Sequence, residues 1–273
     1  MKKINICYTQ RANIGDAINP FIIKEVLKYD PILSDWYHCD ITGIGSGLRR
    51  FFVDQVSTAL KIKRAINTKP LILWSAGFLT TPSGEEKIVR KNIKVASVRG
   101  ELSRQYVEKI LKRSIDCSTG DGGLLCSKWI SPEPHKLYRL GIIPHVKEKD
   151  LPVFAEINRV IDDSVIVDVE DDPIKNLKII SACECIISSS LHGLIIADSY
   201  NVPNQHIVCS NRLSGDGFKF KDYYSSYSLD DEPIVLSDSN QIDINSIIHN
   251  YRIDRETIER KQYDIISAFN LFL

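Results

Sequence analysis

Net charge is missing from this sequence: 35 basic and 35 acidic side chains cancel over 273 residues. The whole-protein positive field by which nucleic-acid binders collect phosphates is therefore absent, and any anion has to be met by a local site. Informative cysteine spacing is missing too. Cys7, Cys39, Cys117, Cys126, Cys183, Cys185 and Cys209 are odd in number and nowhere spaced C-x-x-C, which excludes an obvious disulfide framework and a zinc knuckle. They read as reduced and mostly buried, hence as thiols of a cytoplasmic protein. No window reaches the roughly 18 to 20 unbroken apolar residues of a spanning helix. Residues 1–10 hold too short an apolar stretch for a secretory signal. The chain is expected to be soluble, with at most peripheral contact with the inner face of a membrane. The acids Asp162, Asp163, Asp168, Glu170, Asp171 and Asp172 crowd around one strand without the order of a calcium loop, so no metal is expected. Internal repeats and low-complexity tracts are absent as well.

What is present is an alternation of short apolar runs with longer helical patterns, the mark of βα units around parallel sheets. With 43% apolar and 26% charged residues, the chain has the composition of a globular α/β protein. In the first half the pattern predicts strands over 4–8, 40–44, 70–75 and 94–98. Helices are expected over 19–29, with Asn19 as cap and Pro20 in the first turn, and over 50–66 and 101–112. The run K-W-I-S-P-E-P-H-K (128–136) stops both helix and central strand, and a second alternating series follows it. Its strands are expected at 138–143, 164–168, 184–188 and 205–209, and its helices at 151–161, 173–183 and 190–200. Residues 254–273 read as an amphipathic helix. The expected organisation is one doubly wound domain over 1–130, a second over 137–253, and a C-terminal helix packing back on the body.

Several strand-to-helix corners carry residues suited to an anionic ligand. After the strand 184–188 come Ser188, Ser189 and Ser190, and a helix starts at once with His192 and Gly193 in its first turn. Free N–H groups, the positive end of the helix dipole and small hydroxyls make such a corner an anion site, and His192 there suits acid or base work. The plain alternative is that the serines cap the helix and His192 fills a polar gap. Gly15, Gly45 and Gly77 follow strands in the first half and permit close approach of a ligand, although none belongs to a dinucleotide fingerprint. Arg99 stands where a strand becomes a helix and suits bidentate recognition of carboxylate or phosphate; a surface salt bridge is its alternative. Asp16 and Asp121 occupy similar corners, Asp121 as cap or cleft carboxylate. His145 and Lys147 lie in a loop after a strand, and Lys219 and Lys221 in a glycine-rich stretch, 214–224, that reads as a flap or as an exposed loop before a helix. Arg49, Arg50, Lys61, Lys63 and Arg64 read first as a solvated face, with an anionic acceptor or lipid headgroup as the second reading.

Taken in order, N-I-G-D-A-I-N-P (13–20), G-I-G-S-G (43–47), W-S-A-G-F (74–78), V-R-G-E-L-S (98–103), G-D-G-G-L-L (120–125), G-I-I-P-H (141–145), the serine-rich block S-S-S-L-H-G-L-I-I-A-D-S-Y-N-V-P (188–203) and F-K-F-K-D-Y-Y (218–224) resemble the polysaccharide pyruvyltransferase family, in particular its succinoglycan-type members. The resemblance runs over roughly residues 5–226. It implies two Rossmann-like domains facing a cleft, as in GT-B glycosyltransferases. It also implies transfer of pyruvate from phosphoenolpyruvate to a sugar as a ketal, in the making of a surface polysaccharide or exopolysaccharide and without a further cofactor. On this chain it makes His192 the acid/base, with Asp16 or Asp121 as its partner toward the sugar, and Arg99 a phosphoenolpyruvate contact. Many relatives have arginine where this chain has Ser190, so the donor's charge has to be met by other cations, with Lys147, Lys219 and Lys221 as candidates. The acceptor is a sugar or a lipid-linked oligosaccharide. Two rivals stay open: a nucleotide-sugar glycosyltransferase of the same architecture, and a catalytically silent binding protein, which Ser190 keeps in play.

Overall fold

Apolar, β-branched runs too short for helices become strands of two parallel sheets. The protein is seen in a computed structural model that describes residues 1–236 and 242–273. The first half holds β1 (Lys2–Cys7), β2 (Tyr29–Leu33), β3 (Ile41–Thr42), β4 (Phe52–Val53), β5 (Leu71–Leu73), β6 (Lys87–Ile88), β7 (Ile93–Val95), β8 (Ser97–Val98) and β9 (Ser118–Thr119). Five of them pair in parallel in the order β2-β1-β3-β5-β7, while β4 pairs with β6 and β8 with β9. The second half holds β10 (Tyr138–Ile143), β11 (Ser164–Ile166), β12 (Cys183–Ser188), β13 (Asn204–Val208) and β14 (Ile234–Val235), all parallel, in the order β11-β10-β12-β13-β14. Numbered within its own half, each sheet runs second, first, third, fourth, fifth. That is a doubly wound order whose switch point lies between the first and third strands, the place where such sheets bind ligands.

The helices are α1 (Ile14–Ala17), α2 (Asn19–Phe21) running into a π-helical turn (Ile22–Val26), α3 (Thr58–Ile66), α4 (Glu101–Leu111), α5 (Cys126–Trp129), α6 (Pro152–Val160), α7 (Pro173–Ser181), α8 (Leu191–Ser199), α9 (Phe218–Ser225), α10 (Ile244–His249) and α11 (Arg255–Phe272). In the second half the expected elements through β13 are found with ends shifted by a residue or two. The first half differs more, and its expected strand 94–98 divides into β7 and β8, which belong to different sheets. The expected helix 19–29 stops at Val26, and β2 follows as an edge strand; Pro31, which has no N–H to give, is tolerated because the edge leaves one side unpaired. The cap of this corner is Asn13, whose side chain accepts from Gly15 N, rather than Asn19. The expected helix 50–66 breaks into a 3-10 turn (Leu48–Arg50), β4 and α3, because Phe51 and Phe52 are buried in the core and Ser57 caps a fresh helix. Residues 218–225 are no flap. They form α9, with Phe218, Phe220, Asp222, Tyr223 and Tyr224 buried.

Helix α8 is apolar on nearly every side, and a helix of that kind is stable only when enclosed. All of its residues but His192 are buried. One apolar cluster accordingly runs through both halves, taking Ile4, Ile6 and Ile14 from the first, Ile143, Leu194 and Ile195 from the second, and Ile265 and Phe269 from α11. Helix α11 lies on the first half: Trp74 Nε1 donates to the Ile265 carbonyl at 3.1 Å, Lys261 Nζ to that of Thr119 at 3.0 Å, and Gln262 Nε2 to that of Leu124 at 2.8 Å. Among the described residues no helix is long and apolar enough to cross a membrane.

Candidate functional site

Both switch points open onto one cavity of about 340 Å³. From the β1 side come Thr9, Arg11, Asn13 and Asp16; from the β3 side Gly45, Ser46, Gly47, Arg49 and Arg50; from the β10 side His145; and from the β12 side Ser190, Leu191 and His192, with Leu79 and Lys219 completing the wall. Asn19 locks the two first-half corners together. Its Oδ1 accepts from Ile44 N at 2.7 Å, while its Nδ2 lies 3.3 Å from the Gly15 carbonyl and 3.2 Å from that of Asp16.

His192 sits in the first turn of α8, pointing across to the first half. Its imidazole lies directly on Gly15, where a Cβ would fall 2.0 Å from Nδ1, so only glycine leaves room for the ring. On the other side, His192 Nε2 is 3.9 Å from Asp121 Oδ1 and has no hydrogen-bond partner among the described residues. The ring is 15% exposed and the Asp121 side chain 0%. Asp121 caps the 3-10 turn Gly122–Leu125 by accepting from Gly123 N at 2.9 Å, and its second oxygen is buried without a hydrogen-bond partner among the described residues. Burial of a charge disfavours it, so it pushes the two groups in opposite directions. The imidazole is driven down to about 3 by burial, then by Arg99 and Lys219. The Asp121 carboxyl is driven up to about 6 by burial, against the pull of Arg99 and the Gly123 N–H. Asp16, on the far side of the ring, is also raised to about 6 by burial, against Arg11 and Arg50. A Cβ on Gly45 would lie 3.9 Å from both Asp16 Oδ1 and His192 Cε1, so acid and imidazole flank the same space.

The wall is rich in cations. Arg50 Nη2 donates to Thr9 Oγ1 at 2.8 Å, and neither Arg50 nor Arg11 makes an ion pair among the described residues. Arg49 is shared with Asp54 and Glu86. Lys219 is lowered to about 8 by burial and by Arg99, with Glu148 opposing. His145 is lowered to about 4 by burial, Lys219 and Lys147. A neutral chain thus concentrates Arg11, Arg49, Arg50 and Lys219 about one opening whose wall holds a single carboxylate, Asp16.

Of the residues singled out in the sequence, Asp16, Gly45, His145, Ser190, His192 and Lys219 reach this wall. Others stand behind it. Ser188 Oγ lies 2.9 Å from the carbonyls of Ile143 and Ser190, and Ser189 Oγ accepts from His145 N at 2.9 Å, so these hydroxyls fasten the corner instead of facing a ligand. Gly193 makes room for Ser188 Oγ, and Gly77 for the Arg99 guanidinium. Arg99, expected at the cleft, is fully buried: Nε and Nη2 hold Asp222 Oδ2 at 2.9 and 2.8 Å, and Nη1 donates to Ser46 Oγ at 2.9 Å. It reaches the cavity only through Ser46, because α9 brings a carboxylate to it from the other half. Lys147 is exposed and bonded to Ser214, and Lys221 is exposed on α9, so neither lines the wall. Arg11 carries no reading from the sequence, and Arg49 and Arg50, which read first as a solvated face and second as a site for an anionic acceptor or lipid headgroup, line this wall. The signal for the pair was G-I-G-S-G-L-R-R directly after a strand, which sets both arginines at the sheet's carboxyl edge.

The sequence profile of the family described as polysaccharide pyruvyl transferase matches residues 4–211, a span that holds every element of the wall except Lys219. An uncharacterized protein of Acanthamoeba polyphaga mimivirus is 27% identical over 234 residues, covering 84% of this chain and 76% of the relative.

Proposed function

Because the chain belongs to the polysaccharide pyruvyl transferase family, we propose that it moves pyruvate from phosphoenolpyruvate onto two hydroxyls of a sugar as a ketal, in the making of a surface polysaccharide or exopolysaccharide. The observation that carries this reading is the pairing, in one cavity, of several cations with an imidazole backed by a buried carboxyl. Phosphoenolpyruvate brings a carboxylate and a phosphate, and an electroneutral protein has to gather positive charge locally to hold it. Arg11 and Arg50, which make no ion pair among the described residues, take the place of the arginine that Ser190 does not supply. The two sheets are read as GT-B-like units, 1–130 and 137–253, placed so that donor and acceptor meet between them, with 254–273 as the closing helix. The acceptor is a sugar, free or lipid-linked, and the reaction is cytoplasmic.

In the proposed reaction the vinyl carbon takes a proton, and one sugar hydroxyl bonds to the neighbouring carbon while Asp16 takes its proton. The C–O bond to phosphate then breaks, with the electron pair leaving on phosphate. The second hydroxyl adds to the same carbon and its proton departs with phosphate, giving the ketal and inorganic phosphate. His192 and Asp121 act as a pair sharing one proton. Below about pH 6 that proton rests on the carboxyl rather than on the imidazole, as the opposed shifts imply. A bound trianion beside the ring favours its transfer to the imidazole, which delivers it to the vinyl carbon. Lys219 and the N-terminus of α8 steady the developing phosphate charge.

Two results are expected. Arg11→Ala and Arg50→Ala each remove a charge-assisted contact of about 1.5–3 kcal/mol, raising KM for phosphoenolpyruvate roughly tenfold or more; phosphate release assayed against donor concentration reads this, and unchanged KM in both variants removes the arginines from the donor site. The pH profile of kcat/KM, which reports the free protein, should fall on both sides of about pH 6: below because Asp16 becomes protonated and can no longer accept, above because the Asp121–His192 pair loses its proton. Asp16→Asn should flatten the acid limb, and Asp121→Asn should alter the basic one. Detection of a pyruvate ketal by mass spectrometry of the acceptor tests the function itself. Sugar transfer from a nucleotide sugar with no phosphate released from phosphoenolpyruvate would assign the glycosyltransferase reading instead.

A further inference from the structure

Helix α3 turns its apolar side away from the protein. None of its nine residues is buried. With 3.6 residues per turn, Leu60 and Arg64 share one side, and these two are the half-buried ones that meet the body. The opposite side carries Ala59, Ile62 and Ile66, with Ile62 57% and Ile66 72% exposed. Lys61 and Lys63 fall on the two margins of that strip. The helix contains no acid, and Lys61 and Lys63 make no ion pair among the described residues; Lys63 Nζ lies 5.7 Å above the Tyr37 ring.

An ordinary surface helix points its apolar stripe at the core and its charges at water. An apolar strip facing out between lysines whose stems can lie along it is the arrangement of a helix seated in a bilayer interface. We propose that α3 docks the protein on an anionic lipid surface, Ile62 and Ile66 entering the headgroup boundary while Lys61 and Lys63 meet lipid phosphates. The occupant follows from charge: the chain as a whole is neutral, so attraction has to come from this local cation pair, and a zwitterionic surface supplies no counterpart. The inference stands on α3 alone and does not depend on the pyruvyl transfer reading.

The test is co-sedimentation of the full-length protein with vesicles. Binding is expected to phosphatidylcholine vesicles containing phosphatidylglycerol at low salt, and to be lost on pure phosphatidylcholine and at high salt. Ile62→Ser with Ile66→Ser, and separately Lys61→Glu with Lys63→Glu, should each lower partitioning roughly tenfold or more. Circular dichroism and thermal melting of both variants should match the wild type, because the altered side chains touch solvent. Absence of binding to the anionic vesicles, or equal binding by both variants, overturns the proposal. So does a concentration-dependent dimer in light scattering that the isoleucine variant abolishes, which would give the face to a second copy of the chain.

Discussion

A His192→Gln protein is expected to release phosphate from phosphoenolpyruvate about 10² to 10⁴ times more slowly than the wild type, the usual loss when a placed proton donor is removed. Glutamine retains polarity and comparable reach, so the buried body of α8 has no reason to move. The cations proposed to hold the donor, Arg11, Arg50 and Lys219, are untouched, so calorimetric affinity for phosphoenolpyruvate should change little while kcat falls. Gly15→Ala supplies a second route to the same result. The backbone there is compatible with alanine, yet its Cβ would fall 2.0 Å from His192 Nδ1 and has to displace the ring. Its kcat should drop in the same direction with the imidazole still present. Full activity in both variants would remove His192 from the proton path, whereas loss of donor affinity alone would make it a binding group.

The corner that carries His192 was legible because its signal is local. An apolar strand end, three small hydroxyls and an immediate helix start stand within 183–199, and the helix is buried except at His192 because its own sequence leaves almost no polar face. The second half through β13 shares this property: its strands and helices alternate regularly, and prolines mark the first turns of α6 and α7. The first half hides more. β3 and β5 fall inside the strands expected over 40–44 and 70–75 but span only two and three residues, while Phe51 and Phe52 look as helical as they look extended until β6 pairs beside them. Arg49 and Arg50 stand at the start of the helix expected over 50–66, which would set them first of all on a solvated face. The 3-10 turn after Gly47 instead aims them at the cavity. Arg99 fails for a different reason. Its partner lies 123 residues away, and no local pattern announces a contact at that separation. The sequence places a guanidinium at the right edge of the sheet; only tertiary packing decides whether that edge faces a ligand or another helix.

That packing leads to the largest expected effect on stability. Asp222→Ala should destabilise the protein by roughly 3–5 kcal/mol, because it leaves a fully buried guanidinium without its counter-charge. Asp222 is the point where α9, from the second half, is fixed to α4 of the first. Its Oδ2 accepts from Arg99 Nε and Nη2 and from Ser103 Oγ at 2.7 Å, and its Oδ1 accepts from Ser103 N at 2.7 Å. Gly100 lets the α9 backbone come close enough for this, since a Cβ there would fall 1.6 Å from the Asp222 carbonyl oxygen. The motifs V-R-G-E-L-S and F-K-F-K-D-Y-Y are therefore two sides of one contact. The measurement is the urea midpoint, with Arg99→Met and Asp222→Leu combined as the control: replacing both charges by apolar groups of similar volume removes the orphan and should recover much of the loss. A single Asp222→Ala protein as stable as the wild type would mean the guanidinium finds water or another acceptor, and the pair would no longer explain how the halves are held. The same substitution also tests how far the catalytic wall depends on this joint, because Arg99 bonds Ser46 in that wall and α9 carries Lys219 into it. Where the double variant restores the midpoint but not KM for phosphoenolpyruvate, Arg99 is a positioning residue for the donor site, acting through Ser46 without touching the substrate.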